Sequence, residues 1–200
     1  MKTLRLLYLW FGIVLALAMI QQIAIHFYPH KLIEHKVFID GVVDDKLKPL
    51  IKELYSSSSE HHIIIHMSTP GGDAFVGFDL VNAIEHSEAK VTLIVHNYAA
   101  SMGAILVCGK HTNLELSNDA TLLFHTMQVS TSIFTRPTPI LTKDVASLDT
   151  FTQAIYWKAR FYIERNCAAA FTDKEWAAMW DTGENIVMTG AEYKKRMHIK

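Results

Sequence analysis

Twice between Ile63 and Gly109 an apolar run of strand character ends in a turn of small residues and re-enters the chain as an apolar helix. The first passage reads IIIHM, then TPGGD, then FVGFDLVNAIEHS; the second reads KVTLIV, then HNYAA, then SMGAILVCG. Parallel strands need a connection long enough to return to the same end of the sheet, usually a helix. The order therefore predicts an α/β fold with a mostly parallel sheet and right-handed crossovers. The flanks extend the pattern. KVFIDGVV is a short β-rich run, and in DDKLKPLIKELYS the residues Leu47, Leu50, Ile51 and Leu54 share one helical face, with Pro49 near the first turn. SSSSEHH is a polar loop, and NLELS and TLLFH add two strands. Further on, a long helix is expected from Asp144 to Asn166, a shorter one from about Asp173, a strand at NIVM and a last helix at AEYKKRM.

A chain of 200 residues, 50% of them hydrophobic, can bury one core of this kind but not two. The formal net charge is −1, and basic residues cluster only in the YKKRMHIK tail, so nucleic acid is not an expected partner. Cys108 and Cys167 lack CxxC spacing and stand in apolar or helical surroundings. They read as buried small hydrophobes rather than as a disulfide or a metal site, and leave the redox compartment open. His61, His62 and His66 are interrupted by strand alternation, and no carboxylate or cysteine completes a ligand set, so neither a metal nor another cofactor is expected. Trp157 and Phe161, four residues apart, are packing residues within the protomer or against a neighbour.

At the amino terminus, Leu6 to Ile25 is a run of 20 residues without a charged side chain, enough helix to cross a hydrocarbon core of about 30 Å. Segment 1–30 is expected to be a membrane anchor. The small-x-small pattern at Ala16, Leu17 and Ala18 keeps a cleaved signal peptide, and a secreted or periplasmic protein, as the alternative. Lys2, Arg5 and the terminal amine precede the run, against Lys31 and Lys36 after it, a slight bias toward a body outside the cytoplasm.

In open α/β sheets, ligands bind beyond the carboxyl ends of the strands. Three candidates fall there. The glycines of STPGGD can present backbone N–H groups to an anion or a developing oxyanion. Ser101 opens a helix, where a serine standing alone would be an N-cap. His125 ends TLLFH, where a lone histidine would be a core or edge residue. Together they supply what acyl transfer requires: a nucleophile, a base and two N–H donors.

The runs STPGG, NYAASMGA and LLFH, in this order and at these spacings, resemble the proteolytic subunit of the Clp protease family, whose fold is that of the crotonase superfamily, a spiral of βαβ units. The similarity runs from Val37 to the C-terminus, which implies a peptidase domain over 37–200. It implies Ser101 as nucleophile, His125 as general base, and the N–H groups of Gly72 and Met102 as the oxyanion hole. It also implies a peptide or protein substrate and a homo-oligomeric ring, stacked through the long helix.

Two departures accompany the resemblance. TGENIVMTGAEY places Asn185 where the family has the aspartate that orients the histidine. An asparagine can accept the imidazole N–H bond but adds no charge, so activity should be weaker, or Glu184, Asp181 or Asp173 must substitute. TMQVSTSIFTRPTPIL replaces the glycine-rich segment after the family's histidine, which helps line the substrate groove and pair the rings. No counterpart of the loop that engages an ATPase ring is apparent, so ATP-dependent unfolding is not expected. The alternatives are a weakly active or inactive peptidase-fold scaffold or regulator, and another crotonase-fold enzyme, either a signal-peptide-peptidase-like serine–lysine hydrolase or an acyl-CoA hydratase. His125 argues against the serine–lysine version, and Ser101 against the hydratase, which works with carboxylates.

Overall fold

The computed structural model describes residues 10–20, 32–111, 113–129 and 137–199. The chain divides into two compact units, Met1–Ile33 and Glu34–Lys200. In the first, residues 10–20 form a helix, α1, with exposed side chains. Among the described residues no helix is long and apolar enough to cross a membrane. The remaining residues of the expected span, 6–9 and 21–25, lie outside those described.

The second unit carries the expected α/β alternation: β1 (Ile33–Asp40), α2 (Lys48–Ser56), β2 (His61–Thr69), α3 (Ala74–His86), β3 (Lys90–Ala100), α4 (Met102–Val107), β4 (Asn113–Leu116) and β5 (Thr121–Phe124). There follow β6 (Gln128–Val129), β7 (Thr138–Pro139), α5 (Thr150–Cys167), α6 (Asp173–Ala177), β8 (Ile186–Thr189) and α7 (Gly190–Arg196). The main sheet has the order β1-β2-β3-β5-β8, with β4 also on β3. β3 runs parallel to β2, β4 and β5, whereas β8 is antiparallel to β5.

β3 is longer than its apolar run suggests. HNYAA, expected as a turn, continues the strand to Ala100 because the strand changes partner along its length. Thr92 to Val95 pair with β4, and Tyr98 to Ala100 pair with β5. The new neighbour supplies the ladder that keeps the polar stretch extended. Along β2, Met67 pairs with Val95 but Thr69 with Ala99, so β3 bulges just before its end. The helix expected from Asp144 starts instead at Thr150. Asp149 caps it by accepting from the N–H groups of Phe151 and Thr152, and a 3-10 turn, Thr142–Ser147, precedes it.

Alternation decides which side of β2 is buried: Ile63, Ile65, Met67 and Thr69 face the core, while His62, Ile64 and His66 lie on the other face. That outer face is satisfied locally, His62 with the Thr92 hydroxyl at 2.8 Å and His66 with His96 at 2.9 Å. In α2, Leu50 and Leu54 are buried and Ile51 partly so, as the periodicity predicts.

The cysteines require a correction. Cys108, the C-cap of α4, and Cys167, the last residue of α5, form a disulfide with their Cα atoms 5.5 Å apart. They are 59 residues apart in sequence, and only the packing of α4 against α5 brings them together. Both are buried, as expected of small hydrophobes, but they are covalently paired.

Candidate active site

Three strand ends converge on one cleft of about 590 Å³, lined by Gly72, Ser101, Met102 and His125 among others. β2 delivers Pro70, Gly71 and Gly72; β3 delivers Ser101; β5 delivers His125. Of the residues expected to act together, the structure therefore gathers Ser101, His125, Gly72 and Met102 in one place.

Ser101 stands at the N-cap position of α4, yet its side chain makes no capping hydrogen bond. Its backbone has φ 56° and ψ −121°, a conformation that costs a non-glycine residue about 1–3 kcal/mol. Such a turn lifts a side chain off the strand end and exposes it above the sheet. The turn is held from below, since the Ser101 N–H donates to the Leu123 carbonyl of β5 at 2.9 Å and the Ser101 carbonyl accepts from the Ile105 N–H at 3.1 Å. Leu123 is two residues before His125, so Ser101 and His125 are referenced to the same strand.

The Pro-Gly-Gly turn meets Ser101 from the other side. Gly71 has φ +92°, and a β-carbon there would fall 2.5 Å from the Ser101 Cβ and 2.9 Å from the Met102 nitrogen. Its N–H is anchored to the Thr69 hydroxyl at 3.1 Å, which in turn donates to the Gly41 carbonyl at 2.5 Å. Gly72, at φ +153°, forms a bridge with Val43 through the Gly71 carbonyl and the Asp73 N–H. A parallel bridge of this kind turns the Gly72 N–H to the opposite side from Val43. Asp73 then caps α3 by accepting from the Phe75 and Val76 N–H groups. Sequence reasoning named both glycines of this turn, with Gly72 as the oxyanion donor, and passed over Thr69; the signal available was a polar residue closing the otherwise apolar buried face of β2.

His125 Nδ1 is hydrogen-bonded to the carbonyl of Thr126 at 2.5 Å. Thr126 is fully buried, and its hydroxyl donates to the Ile140 carbonyl at 2.6 Å. Asn185 is exposed and immediately precedes β8. Phe124 pairs with Ile186 in the antiparallel β5–β8 ladder, so the next step outward sets 125 across from 185. No hydrogen bond joins their side chains, and none joins Ser101 to His125, among the described residues. Such contacts are often long in a free enzyme and tighten on a bound substrate.

The other candidates for the third position lie elsewhere in the chain's local structure. Asp173 is in the first turn of α6, Asp181 is in the π-helical turn Ala178–Thr182, and the Glu184 carboxylate accepts from the Thr182 hydroxyl. None of them lines the cleft. Its walls are apolar: Phe78, Met102, Ile105, Ile155, Ala159 and Ile163. At its rim Phe75 stacks on Phe151, ring centroids 4.7 Å apart and nearly parallel.

Residues 21–156 match the Clp protease family, described as Clp protease. Among curated proteins, the chain is 28% identical over 102 residues to the ATP-dependent Clp protease proteolytic subunit 1 of Synechococcus sp. (strain CC9902), covering 47% of this chain and 52% of that protein. The same identity and coverage hold for the ATP-dependent Clp protease proteolytic subunit 2 of Synechococcus sp. (strain CC9605) and of Parasynechococcus marenigrum (strain WH8102). The chain spans about half the length of the curated relatives it matches. With a family match over more than half of its residues, and with strand, turn and helix in the order that match implies, the chain belongs to the Clp protease family.

Proposed function

We propose that the chain is a serine endopeptidase that hydrolyses peptide bonds through an acyl-enzyme, on a crotonase-type spiral of βαβ units. The observation that carries this reading is Ser101: a serine at a helix start, held at positive φ, whose hydroxyl caps nothing among the described residues and lines a cleft with His125, which follows the carboxyl end of β5. A capping serine satisfies backbone N–H groups, and a core serine is hydrogen-bonded; this one does neither.

In the proposed reaction His125 removes the proton as the Ser101 Oγ attacks the scissile carbonyl, and the oxyanion forms between the N–H groups of Gly72 and Met102. The imidazolium then protonates the leaving amine, and water repeats the sequence to release the acid. Asn185 holds the place of the family's aspartate without its charge. The apolar walls favour an apolar side chain beside the scissile bond. Phe161, exposed on α5 and stacked on the partly buried Trp157, supports assembly of like subunits into a ring. The chain acts without ATP-dependent unfolding of its own.

The Cys108–Cys167 disulfide supports a peptidase domain on the oxidising side of a membrane, since cytosolic thiols are kept reduced. The apolar run 6–25 is the segment that would hold or export it. Retention of full-length chain in carbonate-washed membranes is the expected result; a soluble product beginning near Met19 would favour a cleaved signal instead.

The function is tested by incubating the purified full-length chain with a fluorogenic peptide carrying an apolar residue before the scissile bond. Cleavage lost in Ser101→Ala is expected. Absence of cleavage by the wild type across a panel of such peptides, with the chain folded and assembled by light scattering, would favour a scaffold.

A further inference from the structure

We infer that the group orienting His125 is the main-chain carbonyl of Thr126, and that Thr126 is a positioning residue whose buried hydroxyl holds this carbonyl in place. The inference rests on the peptidase reading, in which the Nε2 of His125 must face Ser101 as the proton acceptor.

A carbonyl oxygen carries no proton. The 2.5 Å contact between His125 Nδ1 and the Thr126 oxygen is therefore a hydrogen bond only if Nδ1 is the protonated nitrogen. In neutral imidazole that leaves the Nε2 lone pair free. A backbone carbonyl is a common partner for this purpose, and it fixes both the tautomer and the ring's orientation. Asn185, at the family's aspartate position, is exposed and makes no hydrogen bond to the ring within the described residues.

A carbonyl orients a ring only as well as its peptide is held. Thr126 follows the end of β5, outside the ladder, where a peptide would ordinarily be free to rotate. Its side chain removes that freedom. The hydroxyl, fully buried, donates to the Ile140 carbonyl at 2.6 Å, and the Ile140 N–H donates back to the Met127 carbonyl at 2.8 Å. Directly beyond this clasp, Gln128 pairs with Pro139 and Val129 with Thr138 in the small antiparallel sheet β6–β7. The segment that departs from the family after the histidine is thus the one that locks the histidine's acceptor.

The test uses the full-length chain and three variants: Thr126→Val, which keeps the shape and removes the hydroxyl, Thr126→Ser, which restores it, and Asn185→Ala. Turnover should fall about tenfold in Thr126→Val with KM within about twofold, since Thr126 is fully buried and its hydroxyl is engaged by the Ile140 carbonyl. Thr126→Ser should recover most of the loss, and Asn185→Ala should lower turnover less than Thr126→Val does. Independently of activity, the imidazole nitrogen shifts of His125 in the wild type should report the Nδ1–H tautomer at neutral pH. An Nε2–H tautomer overturns the proposal, as does unchanged turnover in Thr126→Val with a large loss in Asn185→Ala. If the wild type shows the Nδ1–H tautomer but cleaves nothing, the peptidase reading fails and the positioning contact stands. Should Thr126→Val not fold, the wild-type tautomer and the Thr126→Ser rates decide.

Discussion

Gly71 packs against Ser101 so closely that a β-carbon on the glycine would lie 2.5 Å from the serine Cβ, closer than two carbons can approach. The glycine also sits at φ +92°, where an L side chain is strained. The place of Ser101 above the sheet is therefore set by an absent methyl group. Gly71→Ala should displace Ser101 by a fraction of an ångström or more and cut acylation by about 100-fold. Thermal stability should fall by only about 1–3 kcal/mol. Circular dichroism beside active-site labelling checks both; an alanine variant that labels at the wild-type rate would mean that this turn does not position the serine.

The disulfide ties the far end of α4 to the far end of α5, whose Ile155, Ala159 and Ile163 wall the cleft. Closing a loop of 59 residues lowers unfolded-state entropy by an amount worth about 4 kcal/mol on the chain-entropy model. The double variant Cys108→Ala, Cys167→Ala should melt markedly lower than wild type, and a reductant should lower the wild-type melting temperature while leaving the variant's unchanged. Equal melting of wild type with and without reductant would show that the bond is not formed in solution.

Glu175 links the start of α6 to α7. Its carboxylate takes hydrogen bonds from Arg196 at 2.7 and 3.1 Å and closes a capping box with Thr172. The Arg196 hydrogen bonds, with those of Thr172, hold its pKa down at about 2, against an ordinary 4.5. Because the folded value is the lower one, this contribution is complete above pH 4.5 and is lost as pH falls through about 2. Glu175→Gln should therefore be less stable than wild type by about 1 kcal/mol at neutral pH. The gap should close across that acidic window, as read by denaturant titrations at several pH values.

Phe151 and Phe75 make an exposed aromatic pair at the rim of the cleft, joining the first turns of α5 and α3. Loss of one ring removes about 0.5–1.5 kcal/mol of stacking and a surface on which a substrate chain can lie. Phe151→Ala should raise KM for peptides about threefold to tenfold with turnover nearly unchanged. A fall in turnover at constant KM would place the pair in the chemistry instead of in binding.

Much of this was readable from the chain itself. Strand, small-residue turn and helix follow from hydrophobic period and from glycine, and they set Ser101 and His125 at strand ends. What was not readable depends on tertiary partners. HNYAA is too polar to read as strand, yet β3 runs through it because β5 takes over from β4 as neighbour. Cys108 and Cys167 carry no local mark of pairing, because their proximity arises from α4 meeting α5. Thr126 looks like a polar interruption between His125 and Met127, and its meaning appears only once Ile140 closes over it. The apolar run at the amino terminus predicts a span, whereas the described helix within it covers only residues 10–20.

The central claim is that Ser101 is a nucleophile activated by His125. Reaction of the full-length chain with a fluorophosphonate, followed by mass spectrometry of the labelled peptide, tests it most directly. The account predicts one label on Ser101, none on Ser101→Ala, and labelling slowed by about 100-fold or more in His125→Ala. Label that persists at another residue in Ser101→Ala, or a folded wild type that takes up none, would contradict it.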